Sequence, residues 1–282
     1  MKFIFFLLFV FIAGCSSSEP PLPITHNSNA LITSDWLEAN LHRSDIVLLS
    51  LGSTSKSYRQ GHIPTARYVD WTQDISDQNK PKLFNVLPPI AFEKLAQRLG
   101  IEADSTIVLY DNMDSRLSTR MFWMLSYYGH KKLHILDGGQ DAWLLSGRTF
   151  VSNESGIEPS NYQILTINKS LITYKPYIES RLTDKNFTLV DGRPRDQYTG
   201  AVIGKTFHNN VIHKYPGHIY GAQSIPWQEN LNANGTFKSA IDLREIYGAH
   251  DINNTKTIVT YCNEGLHAAP PWFVLNKYLV RL

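Results

Sequence analysis

The feature that most constrains this chain is that it carries one pattern twice. Gly61-His62-Ile63-Pro64-Thr65-Ala66 returns as Gly217-His218-Ile219-Tyr220-Gly221-Ala222. Thr106-Ile107-Val108-Leu109-Tyr110-Asp111 returns as Thr257-Ile258-Val259-Thr260-Tyr261-Cys262. The two motifs recur at nearly the same offset, and the second copy is longer between Gly200 and Pro216. A repeat of this size is a duplicated folding unit, so whatever folds here must fold twice. A length of 282 residues is enough to bury two separate cores.

Each copy alternates short apolar runs with helical patterns. In the first, a helix is predicted from Ser34 to about Leu41, then a strand over Ile46–Leu51 and a helix over Pro89–Leu99. These are followed by strand Thr106–Tyr110, helix Arg116–Tyr128, strand Leu133–Leu136 and helix Gln140–Leu145. The second repeats the order with a helix near Tyr174–Arg181, strand Phe187–Val190, helix Ser239–Tyr247 and strand Thr257–Tyr261. Such alternation requires crossover connections and a parallel sheet covered on both faces. The expected fold is α/β: two three-layer α/β/α domains, residues 30–150 and 171–282, joined by a linker over 151–170.

The ends of the chain carry separate signals. Met1-Lys2 precedes the apolar run Phe3–Ile12, and small residues follow, which describes a secretory signal peptide over residues 1–14. Ile12-Ala13-Gly14-Cys15 resembles the lipobox of bacterial lipoproteins, which implies acylation of Cys15. Several acyl chains at about 0.8 kcal/mol per buried methylene hold a protein firmly to a bilayer. Ser16 after that cysteine resembles the outer-membrane sorting pattern, so the implied location is the cell envelope, lipid-anchored at the outer membrane and facing the periplasm. Residues 15–29, rich in Ser, Pro and Asn, read as a flexible tether. At the other end, the second copy stops at Leu282 before any counterpart of Leu133–Leu136, so the second domain is expected to be incomplete.

Composition narrows the chemistry. A net charge of +2 with no basic run longer than Lys131-Lys132 leaves no nucleic-acid footprint. Two cysteines build neither a disulfide framework nor a four-thiolate zinc site, and no histidine pair has ligand spacing with suitable partners, so neither metal nor cofactor is expected. With Cys15 lipidated, Cys262 is the one remaining thiol, either buried and inert or reactive. Its position favours chemistry, because ligands of open α/β sheets bind at the carboxyl ends of strands. The loop Asn263-Glu264-Gly265-Leu266-His267-Ala268 would turn backbone N–H groups toward the sulfur and favour negative charge there. Arg193 could orient an anion or serve an ion pair, and His267 could bind substrate or simply fill the loop. His62 and His218 read as structural hydrogen-bonding groups.

Together, the repeated Gly-His-Ile-x-x-Ala, the strand ending in Tyr261-Cys262, and Leu136-Asp137-Gly138-Gly139-x-x-Ala142-Trp143 resemble the rhodanese family of sulfurtransferases. The resemblance runs from about Ser34 to the C-terminus and is to the tandem form. It implies a catalytically silent first domain, with Asp111 where the second has Cys262, since a carboxylate cannot accept sulfane sulfur. It further implies that Cys262 takes sulfur from a small anionic donor such as thiosulfate or 3-mercaptopyruvate, becomes a persulfide, and passes the sulfur to a thiol or cyanide. Residues 263–268 would stabilise the persulfide, and Arg193 matches a substrate-binding arginine. Glu264 departs from the pattern, adding negative charge where the donor should approach. Ala268, where related phosphatases and arsenate reductases carry Arg, excludes that class. The alternative reading is a non-catalytic rhodanese-like envelope lipoprotein, with a binding or structural role or as a degenerate, truncated enzyme.

Overall fold

The computed structural model describes residues 30–52, 54–77, 85–153, 156–206, 210–253 and 255–279. The signal peptide, Cys15 and the tether lie outside the described residues. No helix among those residues is long and apolar enough to cross a membrane.

The first unit runs β1 (Leu31–Ile32), α1 (Ser34–Asn40), β2 (Ile46–Gly52), α2 (Ser55–Gln60), β3 (Arg67–Asp70) and α3 (Trp71–Asp74). It continues with α4 (Pro89–Arg98), β4 (Thr106–Asp111), α5 (Arg116–Tyr127), β5 (Leu133–Leu136) and α6 (Gly139–Leu145). Its five strands form one parallel sheet in the order β1-β5-β4-β2-β3. The second unit runs α7 (Lys175–Glu179), β6 (Phe187–Asp191), α8 (Arg195–Thr199), β7 (Gln223–Ser224), α9 (Ala240–Gly248) and β8 (Thr257–Tyr261). It ends with α10 (Ala269–Phe273) and a π-helical turn, Val274–Tyr278. Its sheet, parallel in the order β7-β6-β8, has three strands among the described residues. The α/β/α architecture expected from the alternation is therefore present twice.

The two sheets differ at one edge. In the first, β5 lies between β4 and β1. In the second, Leu171-Ile172-Thr173 repeats the Leu31-Ile32-Thr33 of β1. Between that segment and β8 lies a cavity of about 780 Å3, in the place β5 takes in the first unit. The consequence shows in burial: β4 is almost wholly buried, whereas no residue of β8 is.

The Gly-His-Ile motifs serve structure, as their sequence reading expects. His62 Nδ1–H donates to the Tyr58 carbonyl at 2.8 Å, and its ring stacks on Tyr58 at 3.8 Å. His218 repeats this on Tyr198, at 2.8 and 3.7 Å. The next amide, of Ile63 or Ile219, donates to the phenol at the end of the adjacent strand, Tyr110 or Tyr261. Each motif thus ties the loop before one strand to the tip of another, and in the first unit this satisfies buried polar groups.

The units share a core. One face of α5 packs on its own sheet, while Phe122 meets Phe273 of α10 edge-to-face at 5.2 Å and Trp123 Nε1–H donates to the Leu171 carbonyl. Residues 151–170, read as a linker, are no loose tether. Tyr162 is buried in that core, and its carbonyl accepts from Gln97. The Phe237 amide donates to Asp137 Oδ1 across the interface at 2.8 Å.

Burial raises the Asp137 carboxyl to about 6, outweighing the amide bonds that oppose it. The folded state therefore keeps a proton that the unfolded chain has released, and stability falls as pH rises between about 4 and 6. Asp137→Asn, which keeps an acceptor for Phe237, should raise the melting temperature at about pH 8 by an amount worth on the order of 1–2 kcal/mol. That gain should shrink toward about pH 4. Thermal melts across that range check it; a loss of stability at high pH would contradict it.

Candidate active site

The site forms where β8 ends. Cys262 follows Tyr261 directly, and its loop turns back at Gly265, whose φ of 91° is a left-handed geometry that glycine adopts without strain. The turn brings four backbone amides, those of Glu264, Gly265, His267 and Ala268, toward the sulfur. The Gly265 N–H donates at 3.0 Å.

The other two loop residues do different work from that expected of them. The Asn263 side chain turns outward, donating to Gln197 Oε1 at 2.9 Å and to the Lys205 carbonyl at 3.0 Å. Leu266 is buried in the core. Thr260 Oγ1–H closes the loop onto the Ala268 carbonyl.

Cys262 is half-buried at the floor of a pocket of about 290 Å3. Its walls come from Arg193, Asn263, Tyr261, His213 and residues 215–219, and among the described residues no carboxylate lines it. Sequence reasoning missed His213 and Tyr215, although the longer second copy was the signal. The Lys205–Ile212 bridge and the His213 amide bond to Gly204 fold the extra segment back over the cysteine.

Glu264 does not face the approach to the sulfur, contrary to its sequence reading. Its side chain lines the 780 Å3 cavity on the opposite side of the loop, together with Arg120 and Trp272. Both expectations for Arg193 meet in one place. It lines the cysteine pocket, but Asp191 engages its guanidinium through Nε and Nη2, the latter at 2.6 Å, and Nη2–H also donates to the Gly217 carbonyl. Its charge is therefore held by a buried carboxylate beside the pocket.

His267 stacks on Trp227 with ring centroids 5.9 Å apart, and the Arg116 guanidinium covers the same indole at 4.4 Å. Burial and the nearby Arg116 cation push the imidazole down to about 4, so it is neutral near pH 7. The thiol moves the other way from the sequence expectation. Packing around Cys262 pushes it up, and the four amides offset this only in part.

The corresponding loop of the first unit holds a carboxylate in the same kind of cradle. Asp111 Oδ1 accepts from the amides of Met113 and Ser115, at 2.8 and 3.0 Å, and Oδ2 accepts from Ser118 at 2.6 Å. A carboxyl side chain thus fills in the first unit the kind of nest that surrounds the sulfur in the second.

Two parallel α/β units, one with an anion-cradling cysteine loop at a strand tip and one with that loop closed by its own carboxylate, define a tandem-domain sulfur-handling class of fold. The rhodanese-like domain pattern matches residues 33–146 and 175–280, and the chain belongs to that family. The sulfur carrier protein TtuD of Thermus thermophilus is 32% identical over 253 residues, covering 89% of this chain and 87% of TtuD. A Mycobacterium tuberculosis protein provisionally named a thiosulfate sulfurtransferase is 29% identical over 251 residues, 89% of each chain. The SseA structure from Escherichia coli, titled for 3-mercaptopyruvate sulfotransferases, has the same fold, with a TM-score of 0.75 and 22% identity over 86% of this chain and 92% of SseA.

The cradle depends on close backbone approach. A Cβ on Gly192, between Asp191 and Arg193, would lie 2.1 Å from the His267 carbonyl oxygen. Gly192→Ala should therefore displace the loop and lower stability by about 2 kcal/mol or more. A melt within experimental error of wild type would contradict this contact.

Proposed function

We propose that this protein is a lipid-anchored sulfurtransferase that carries sulfane sulfur as a persulfide on Cys262. The observation that carries the reading is the sulfur of Cys262, which accepts from the Gly265 amide with three more loop amides turned toward it, in a pocket lined by Arg193 and two histidines and, among the described residues, by no carboxylate. Such fixed donors stabilise an anion where it develops.

In the first step the Cys262 thiolate attacks the outer sulfur of thiosulfate. A Cys262 S–S bond forms, the donor S–S bond breaks, and sulfite leaves with the electron pair. In the second, cyanide or a thiolate attacks the outer sulfur of the persulfide, which departs as thiocyanate or as the acceptor's persulfide and restores the thiolate. One difficult transfer becomes two displacements. 3-Mercaptopyruvate fits the same scheme, with pyruvate leaving after proton uptake. Asp191 holds Arg193 at the pocket wall, where its charge attracts the anionic donor. The neutral His267 and the side chain of Asn263 keep the loop in shape.

The names of TtuD and of the mycobacterial relative agree with sulfur transfer as the chemistry. The Met1–Cys15 segment supports secretion, acylation at Cys15 and residence at the outer membrane facing the periplasm. The competing reading, a non-catalytic envelope lipoprotein, draws on the upward displacement of the thiol and on the unburied β8 edge.

Thiocyanate formation from thiosulfate and cyanide separates the two. Wild type should turn over, and Cys262→Ser should reduce the rate by at least about 1,000-fold, to background. If neither thiosulfate nor 3-mercaptopyruvate gives Cys262-dependent product, the non-catalytic reading stands.

A further inference from the structure

Packing keeps the Cys262 thiol above its ordinary range despite the loop amides. A buried cation from the other unit lies behind the loop. Arg120, on the buried side of α5, is 7% exposed. Its guanidinium rests on the Trp123 ring at 4.4 Å and against Gly265, where an added Cβ would lie 2.9 Å from Nη1. Gly265 is the residue whose amide donates to the sulfur. Burial pulls Arg120 down to about 10, still fully charged near neutrality, and its charge is coupled to Cys262 and to Glu264.

The other charged or titratable groups around the sulfur are each accounted for. Arg193 is engaged by Asp191, and the Tyr261 phenol oxygen accepts from the Ile219 amide. His267 is neutral and lies by Arg116. His213 and His218 line the front of the pocket, the latter tied to the Tyr198 carbonyl. Glu264, 8% exposed, faces the rear cavity with Arg120.

We propose that Arg120 of the first unit is a positioning residue for sulfur transfer. From behind the loop it holds Cys262 in its anionic form, and Glu264 beside it sets how strongly it does so. The proposal rests on Cys262 being the sulfur carrier, and it gives the first unit, which carries no sulfur itself, an electrostatic part in the reaction. Substrate enters by the front pocket, so Arg120 never touches it. A cation in a poorly solvated setting behind the loop acts on a thiol with little screening by salt.

The test is the pH dependence of Cys262 alkylation by iodoacetamide on the full chain, followed by mass spectrometry of the Cys262 peptide. Arg120→Met should raise the midpoint by about one pH unit and slow alkylation at pH 7 about tenfold. Arg120→Lys should restore most of the rate, and Glu264→Gln should lower the midpoint. A merely structural role for Arg120 predicts loss of melting temperature with an unmoved midpoint. If Arg120→Met does not fold, Glu264→Gln decides: a lowered midpoint supports the proposal and an unchanged one overturns it. An unmoved profile in folded Arg120→Met overturns it outright. Because alkylation needs no sulfur donor, failure here is distinct from failure of sulfur transfer, which appears as absence of product in wild type.

Discussion

Both cores of this protein depend on the packing of one helix, α5. It lies between the first sheet and α10, so its residues from Leu117 to Leu125 are buried without interruption. Burying a side chain such as Phe122 or Met121 is worth roughly 1.5–3 kcal/mol, and here the same residues stabilise two units at once. This shared helix fixes the units against each other and brings Arg116 and Arg120 to the strand tip of the second. The site is therefore built from both copies of the repeat, although Cys262 belongs to one.

The two strand tips show how a duplicated unit can divide its work by a single substitution. Each loop turns amides toward the side chain that follows the repeated tyrosine. In the first, the Asp111 carboxyl group satisfies those amides. In the second, a smaller sulfur leaves the cradle open on the pocket side, where the proposed reaction would add a second sulfur. Closing one nest stabilises a unit; opening the other creates a place for an anion that comes and goes.

The fold was legible because its signals are local. Ile46–Leu51, Thr106–Tyr110 and Leu133–Leu136 are short, mostly apolar runs, and the observed strands agree with them to within one residue. Short elements were missed where sequence is weak: β1, β3 and β7 have two to four residues each and gain their order from neighbouring strands. Cys262 and its loop could be placed because the strand end and Gly265 mark a turn. The direction in which Glu264 points could not, because it depends on α5, which lies far away in the chain. Arg116, Arg120 and Trp227 were invisible for the same reason. Arg120 sits in a helical run that reads as ordinary core packing, and its partner loop belongs to the other copy.

Cys262 is proposed as a sulfur carrier in an open cradle, with Asp111 as its closed counterpart. The most direct measurement is the intact mass of the protein, with peptide mapping, after exposure to thiosulfate and removal of excess donor. The predicted result is one added sulfur atom, located on Cys262 and removed by cyanide. Unchanged mass with every sulfane donor tried, in protein shown to be folded, would contradict it.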